Sequence, residues 1–195
     1  WRDAMAGCGM TRAVFLDRDG VINEAVVRDG RPLAPSGVGE LTLRPGVGEA
    51  LGRLRRAGFL IVVVTNQPDV GKGRVAREAV EAIHEELRRR LPLDVIKTCF
   101  HVDADGCACR KPKPGLLVEA ARERGIDLAR SVMVGDRWRD IEAGRTAGCR
   151  TILMRASYDE RPAEAPDAIV DSLGEASALI LSGSLAADHP AGAPR

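Results

Sequence analysis

The sequence predicts an α/β fold, a three-layer sandwich in which helices cover both faces of a central parallel sheet. Three observations predict it. Short, wholly apolar runs alternate with longer segments of helical periodicity. The apolar runs carry no polar alternation, as expected of strands buried on both faces. Polar residues follow three of those runs, at Asp17, Thr65-Asn66-Gln67 and Gly135-Asp136. Parallel sheets bind ligands at those ends.

Each element has its own signal. Ala13-Val14-Phe15-Leu16 makes the first strand, expected over 13–17, and runs into Asp17-Arg18-Asp19-Gly20. Segment 20–45 carries Gly and Pro throughout and reads as a flap or short hairpin over the strand ends. Val47, Ala50, Leu51 and Leu54 set a helix over 47–57. Phe59-Leu60-Ile61-Val62-Val63-Val64 is the second strand. Val75, Ala79, Ile83 and Leu87 place a helix over 75–91, and a strand follows at 95–100. Pro114 suits the first turn of a helix over 115–124. Strands at 131–134 and 151–154 flank a helix at 138–147, and a last helix spans 173–181. Crossovers between such strands are right-handed.

At 195 residues the chain fits one domain, expected over 12–182, with a floppy extension at 1–11 and a flexible tail at 183–195. Lys plus Arg (29) nearly balance Asp plus Glu (28), so no basic excess marks a nucleic-acid or acidic-membrane binder. The scattered arginines read as a solvated surface. No apolar run approaches a membrane span, and no signal-peptide pattern opens the chain, so a cytoplasmic location is expected. A monomer is the expectation for the oligomeric state.

Asp17 and Asp19 bring two carboxylates to one strand end, and Asp136 brings a third to another. Neighbouring carboxylates need a cation or a proton between them. Mg²⁺, a hard ion that prefers oxygen ligands, fits Asp17, Asp136 and the backbone carbonyl of Asp19. The Asp19 side chain is then free. Beside an ionised Asp17 it should stay protonated, ready to donate to a leaving alkoxide, while Asp17 attacks phosphorus. Thr65 offers a hydroxyl and an N–H to phosphate, and Lys111 an ammonium. Singly, Thr65 or Asp136 reads as a helix cap and Lys111 as a surface charge. Their joint occurrence at successive strand ends and in a proline-stiffened loop argues for one site.

Cys99-Phe100-His101 and Cys107-Ala108-Cys109 put three thiols and an imidazole within a short loop, 99–109. Four such ligands close a tetrahedral, structural Zn²⁺ site. Arg110 and Lys111 follow directly, so zinc would pin them, and the planar fork of Arg110 could chelate a second anionic group. Cys8 and Cys149 lie apart, expected as an exposed thiol and a core residue.

Asp17-x-Asp19-Gly20, Thr65-Asn66, Lys111 and Gly135-Asp136-x-x-x-Asp140 resemble, in order and strand context, the four motifs of the haloacid dehalogenase-like phosphohydrolases. That resemblance implies a Rossmann-like sheet, Asp17 as aspartyl-phosphate nucleophile and Asp19 as general acid/base. It implies phosphate binding by Thr65 and Lys111, and Mg²⁺ held by Asp17, Asp19 and Asp136 with Asp140 behind them. Only 48 positions separate Asp17 from Thr65 and 46 separate Thr65 from Lys111, which leaves no room for a cap domain. The site should be open, shaped by loops 20–45, 66–73 and 99–110.

The Cys/His loop followed by Arg110-Lys111-Pro112-x-Pro114-Gly115 is similar to the heptose-bisphosphate and histidinol-phosphate phosphatase branch. There, residues matching Asn66, Arg110 and Lys111 contact substrate phosphates, and Arg137 keeps a positive charge after the last motif's Asp. The implied substrate is a small phosphorylated sugar, foremost the 7-phosphate of a heptose 1,7-bisphosphate. The alternative is the amino alcohol histidinol phosphate, with Asp69 and Glu24 facing its ammonium. A zinc-stabilised binding protein without catalysis is a remote third. The chain departs from the branch at Pro68-Asp69-Val70-Gly71, where Ser then Gly-Ile is usual, and its single tyrosine, Tyr158, lies outside the flap.

Overall fold

The structure, a computed structural model, describes residues 11–28, 31–156, 158 and 161–185. Residues 1–10 of the extension expected over 1–11, Cys8 among them, and the tail beyond 185 lie outside the described residues, while Thr11 bridges Ile126 and Leu185 of the tail expected over 183–195 packs into the core.

Among the described residues, eight strands and six α-helices alternate as the apolar runs foretell. They are β1 (Ala13–Leu16), β2 (Val26–Arg28), β3 (Arg31–Leu33), α1 (Val47–Arg56), β4 (Leu60–Asn66), α2 (Pro68–Gly71), α3 (Arg77–Arg90) and β5 (Val95–Cys99). Then come α4 (Gly115–Arg124), β6 (Val132–Gly135), α5 (Trp138–Thr146), β7 (Arg150–Met154), β8 (Ala168–Val170) and α6 (Leu173–Ser182). Six strands form one parallel sheet in the order β5-β4-β1-β6-β7-β8, and β2 pairs with β3 as an antiparallel hairpin within the expected flap. The sequence reading did not anticipate β8 or α2. β8 has three residues, with Ile169 half exposed at the sheet edge, too short and too mixed to show a period.

The period of two along each strand divides the core. Val14, Leu16, Ile61, Val63, Val132 and Val134 face one layer, packed on Leu51 and Leu54 of α1, Ile83 and Leu87 of α3, and Ala176 and Ile180 of α6. Phe15, Val62, Val64 and Met133 face the other, against Leu116, Leu117 and Ala120 of α4 and Ala143 of α5. Both layers being apolar explains why these strands read as continuous rather than alternating runs. Gly144 fits α5 closely to the sheet, since a Cβ there would meet Met133 at 2.6 Å. Among the described residues no helix is long and apolar enough to cross a membrane.

One expectation fails inside this core. Arg18 is completely buried, not part of a solvated surface.

The order of the sheet fixes where a site must lie. From β1 the chain moves outward through β4 to β5, then returns to β6 on the opposite side of β1. The connections diverge at that point, and a crevice opens beyond the carboxyl ends of β1 and β6. Asp17 and Asp136 immediately follow those two strands.

Candidate active site

Asp17 is fixed at the mouth of the crevice by its own backbone, whose N–H donates to Val134 O on the neighbouring strand at 3.0 Å. Gly20 then turns the chain at φ +94°, and any Cβ there would run into the Asp136 carboxylate. This is the physical reason for glycine after the Asp-x-Asp pair. One carboxylate oxygen from each of Asp17, Asp136 and Asp140 gathers within 4.8 Å of the others, all three residues buried.

Lys111 answers part of that charge. Its ammonium, nearly sealed from solvent, lies 2.7 Å from Asp17 Oδ1, 2.6 Å from Asp140 Oδ1 and 2.8 Å from Val64 O. The loop carrying it is clamped by Asn66, whose amide donates to Lys111 O and accepts from Lys111 N–H, both at 3.1 Å. Burial alone would push the lysine down, but Asp140 and Asp17 outweigh it and hold the ammonium charged. Burial lifts Asp17 to about 6 against the pull of Lys111, with Asp140 and Asp19 adding repulsion.

Asp136 is different. Both its oxygens are buried without a hydrogen-bond partner among the described residues. Burial first, then Asp17 and Asp140, raise it well above the usual carboxylate range. Three carboxylates face the Lys111 ammonium, with the Arg137 guanidinium also drawing on Asp136, and a deficit of positive charge remains when all are ionised. A divalent cation on oxygen ligands fits that deficit and satisfies Asp136. The carboxylate group differs from the expected set in one respect: Asp140, expected behind the ligands, stands beside Asp17 and Asp136.

Asp19 corrects the expectation that it is protonated beside Asp17. Arg18 donates to both its oxygens (Nε–Oδ1 3.1 Å, Nη2–Oδ2 2.9 Å), Asn23 Nδ2 to Oδ1 at 2.9 Å and Gln67 Nε2 to Oδ2 at 2.8 Å. Burial pushes this carboxyl up, but Arg18 and these amides outweigh burial and hold it below the usual range. Asp19 is therefore a carboxylate in this state. Gln67 also donates to Thr65 Oγ1 at 2.9 Å, which leaves the threonine proton for a ligand oxygen. Arg18, Asn23 and Gln67 escaped the sequence reading. Arg18 and Gln67 were legible only as neighbours of motif residues.

The Cys/His loop forms as its spacing requires. Cys99 Sγ lies 3.7 Å from Cys107 and 3.2 Å from Cys109, Cys107 and Cys109 are 3.5 Å apart, and His101 Nδ1 is 3.5 and 3.3 Å from Cys99 and Cys109. A zinc–sulfur bond of about 2.3 Å gives tetrahedral edges of roughly 3.8 Å, close to these values. Burial drives the Cys99 thiol well above its usual range, so a cation is needed to make it a thiolate. Lys113 donates to Gly106 O (2.7 Å) and Cys107 O (2.9 Å), and Gly115 packs where a Cβ would strike Ala108 O.

A cleft of about 450 Å³ leads from Asp17 outward between the hairpin, α2 and this loop. Arg110, Arg137, Arg139, Lys72 and Arg74 line it, with Asp69 among them. Arg110 Nε reaches Asp103 Oδ1 at 2.7 Å, and Arg139 approaches the same oxygen at 3.5 Å. Arg137 donates to Pro32 O of the hairpin at 3.3 Å and lies over the Tyr158 ring. The candidates for an ammonium partner are engaged elsewhere: Asp69 pairs with Lys72 and Arg74, and Glu24 lies 3.6 Å from Arg44. The three loops expected to shape the site all border the cleft, and among the described residues no cap covers it.

Known proteins resemble this chain in sequence and in fold. The HAD-hydrolase-like family model matches residues 108–176. The D-glycero-beta-D-manno-heptose-1,7-bisphosphate 7-phosphatase of Bordetella bronchiseptica is 37% identical over 149 residues, covering 74% of this chain and 80% of that protein. The D-glycero-D-manno-heptose-1,7-bisphosphate 7-phosphatase of Thermosynechococcus vestitus is 35% identical over 84% of this chain and 92% of its own. Among solved structures, a B. bronchiseptica D,D-heptose 1,7-bisphosphate phosphatase complexed with magnesium and phosphate superposes with a TM-score of 0.75. It is 30% identical, over 88% of this chain and 99% of that one.

Proposed function

The chain belongs to the haloacid dehalogenase-like phosphatases, and from that membership we propose that it removes the 7-phosphate of D-glycero-D-manno-heptose 1,7-bisphosphate. The observation that carries the reaction is the buried group Asp17, Asp136 and Asp140 against the single ammonium of Lys111. Mg²⁺ held by Asp17, Asp136 and the Asp19 carbonyl would polarise a phosphoryl oxygen and relieve the repulsion between Asp17 and the incoming phosphate.

Asp17 attacks phosphorus, forming an aspartyl phosphate as the ester P–O bond breaks. Lys111 and the Thr65 hydroxyl hold the equatorial oxygens, where charge spreads in the transition state. Asn66 keeps Lys111 in register through its two backbone contacts. The leaving alkoxide takes a proton from Asp19. Because Asp19 rests as a carboxylate, it must first take that proton up from solvent or from the minor phosphate monoanion; the dianion that predominates above about pH 6 brings none. Asp19 then accepts a proton from the water that cleaves the aspartyl phosphate.

Support for a doubly phosphorylated substrate comes from the outer cleft. Arg110 and Arg139 converge on the one carboxylate of Asp103, an anion that a second phosphate would displace. Asp69 and Glu24 already face cations, which disfavours an ammonium substrate there. Zn²⁺ on Cys99, His101, Cys107 and Cys109 would fix the loop from which Arg110 and Lys111 project. Phosphate release from both anomers of the heptose bisphosphate, measured beside histidinol phosphate and p-nitrophenyl phosphate, tests the reading. Catalytic efficiency on the heptose no better than on p-nitrophenyl phosphate would sink the substrate assignment.

A further inference from the structure

Arg18 stands between the two carboxylates of Asp17-Arg18-Asp19 and is wholly buried. A buried guanidinium needs acceptors for its N–H groups. Asp19 supplies them on one edge of the fork, through Nε and Nη2. On the other branch, Nη1 lies 3.1 Å from Nε2 of His84, sixty-six positions away on α3. Arginine can only donate, so Nε2 must accept and the histidine proton sits on Nδ1.

His84 belongs to the buried stripe of α3, beside Ile83 and Leu87, and is 4% exposed. Burial, then Arg18 and Arg88, depress it to about 3, which keeps the ring neutral and its lone pair available. An arginine side chain has many rotamers, and one bidentate contact with the adjacent residue does not by itself select among them. The second contact, on a rigid helix packed into the core, does.

We propose that His84 is a positioning residue: through Arg18 it holds the Asp19 carboxylate in the orientation from which proton exchange with the leaving-group oxygen occurs. This inference rests on Asp19 being the acid/base. Asn23 and Gln67 each donate once to the same carboxylate, but neither grips both its oxygens. Loss of the histidine acceptor therefore lets the Arg18 fork rotate, and Asp19 with it.

Leaving-group dependence distinguishes this role from a structural one. A sugar alkoxide needs a proton as it departs, whereas p-nitrophenolate does not. His84→Asn, whose shorter amide cannot reach Nη1, should lower kcat/KM on the heptose bisphosphate by about 30-fold, a fraction of a full general-acid contribution. On p-nitrophenyl phosphate the loss should stay under about threefold, because Asp17, Thr65 and Lys111 are untouched. His84→Gln can return an acceptor near the Nε2 position and should recover the sugar ester to within about threefold. Equal losses on both esters, or no loss on either, would overturn the proposal. Should His84→Asn not fold, Arg18→Lys carries the same comparison, keeping the charge without the fork. Asp19→Asn is the control. If it shows the split and the His84 and Arg18 variants do not, only the positioning role falls. If Asp19→Asn shows no split, the acid/base role falls and this inference with it.

Discussion

The carboxylate crevice and the thiol loop are both built for a cation, yet they are opposites in how the fold makes them. The crevice takes its ligands from the ends of two central strands, β1 and β6, so the sheet positions them. Its charges are out of balance, with Asp136 lacking a hydrogen-bond partner among the described residues. The loop takes all four candidate ligands from a stretch of eleven residues at the sheet's edge strand. It offers a closed tetrahedron and nothing for a substrate. An open oxygen site leaves room for chemistry, whereas a filled sulfur site leaves only shape. The two meet at Lys111, which lies two residues past the last thiol and pairs with the first carboxylate.

If the crevice alone does chemistry, Asp17→Asn should lower kcat by at least about 10³-fold while the protein keeps its melting temperature within a few degrees. Retained turnover would break the comparison outright. Cys107→Ser should do the reverse in kind. We expect a melting temperature lower by about 5 °C and kcat/KM down by roughly 10- to 100-fold, with unchanged dependence on Mg²⁺ concentration. A shifted Mg²⁺ requirement would mean that the two sites are one.

Arg110→Ala tests the join between them. KM for the heptose bisphosphate should rise about tenfold, with kcat nearly unchanged and little effect on p-nitrophenyl phosphate, which has no second phosphate. Equal effects on both would remove Arg110 from substrate recognition.

The smallest expected effect is a dependence on pH. The fold raises Asp17 from 3.8 to about 6. Without metal, that group's contribution to stability is full below 3.8 and is lost as pH climbs through about 6. Mg²⁺ needs the ionised carboxylate, so the rise in melting temperature it produces should be a few degrees greater at about pH 8 than at about pH 5. A Mg²⁺ effect independent of pH would say that Asp17 is not a ligand.

Much of the site was legible because its positions are marked locally. A strand end is an apolar run followed by a carboxylate, and both Asp17 and Asp136 fit that pattern. What escaped is what only neighbours can specify. Arg18 looks like any surface arginine until α3 covers it, and His84 looks like one more polar residue until Ile83 and Leu87 turn inward with it. The protonation of Asp19 was misjudged for the same reason. Its nearest carboxylate was visible in sequence, but the amides of Asn23 and Gln67 were not recognisable as its partners. β8 was missed because three residues at an edge carry no period.

By itself the sequence determined the layered α/β fold, the carboxylates at the strand ends and the four soft ligands of the loop. Each of these depends on spacings of a few residues, which the periods of strands and helices convert directly into geometry. Only the tertiary structure decided that Lys111 closes on Asp17 across 94 positions, that Asp140 shares it, and that Arg18 is gripped between Asp19 and His84. Those pairings follow from the register of parallel strands and the seating of helices upon them, which no local pattern encodes.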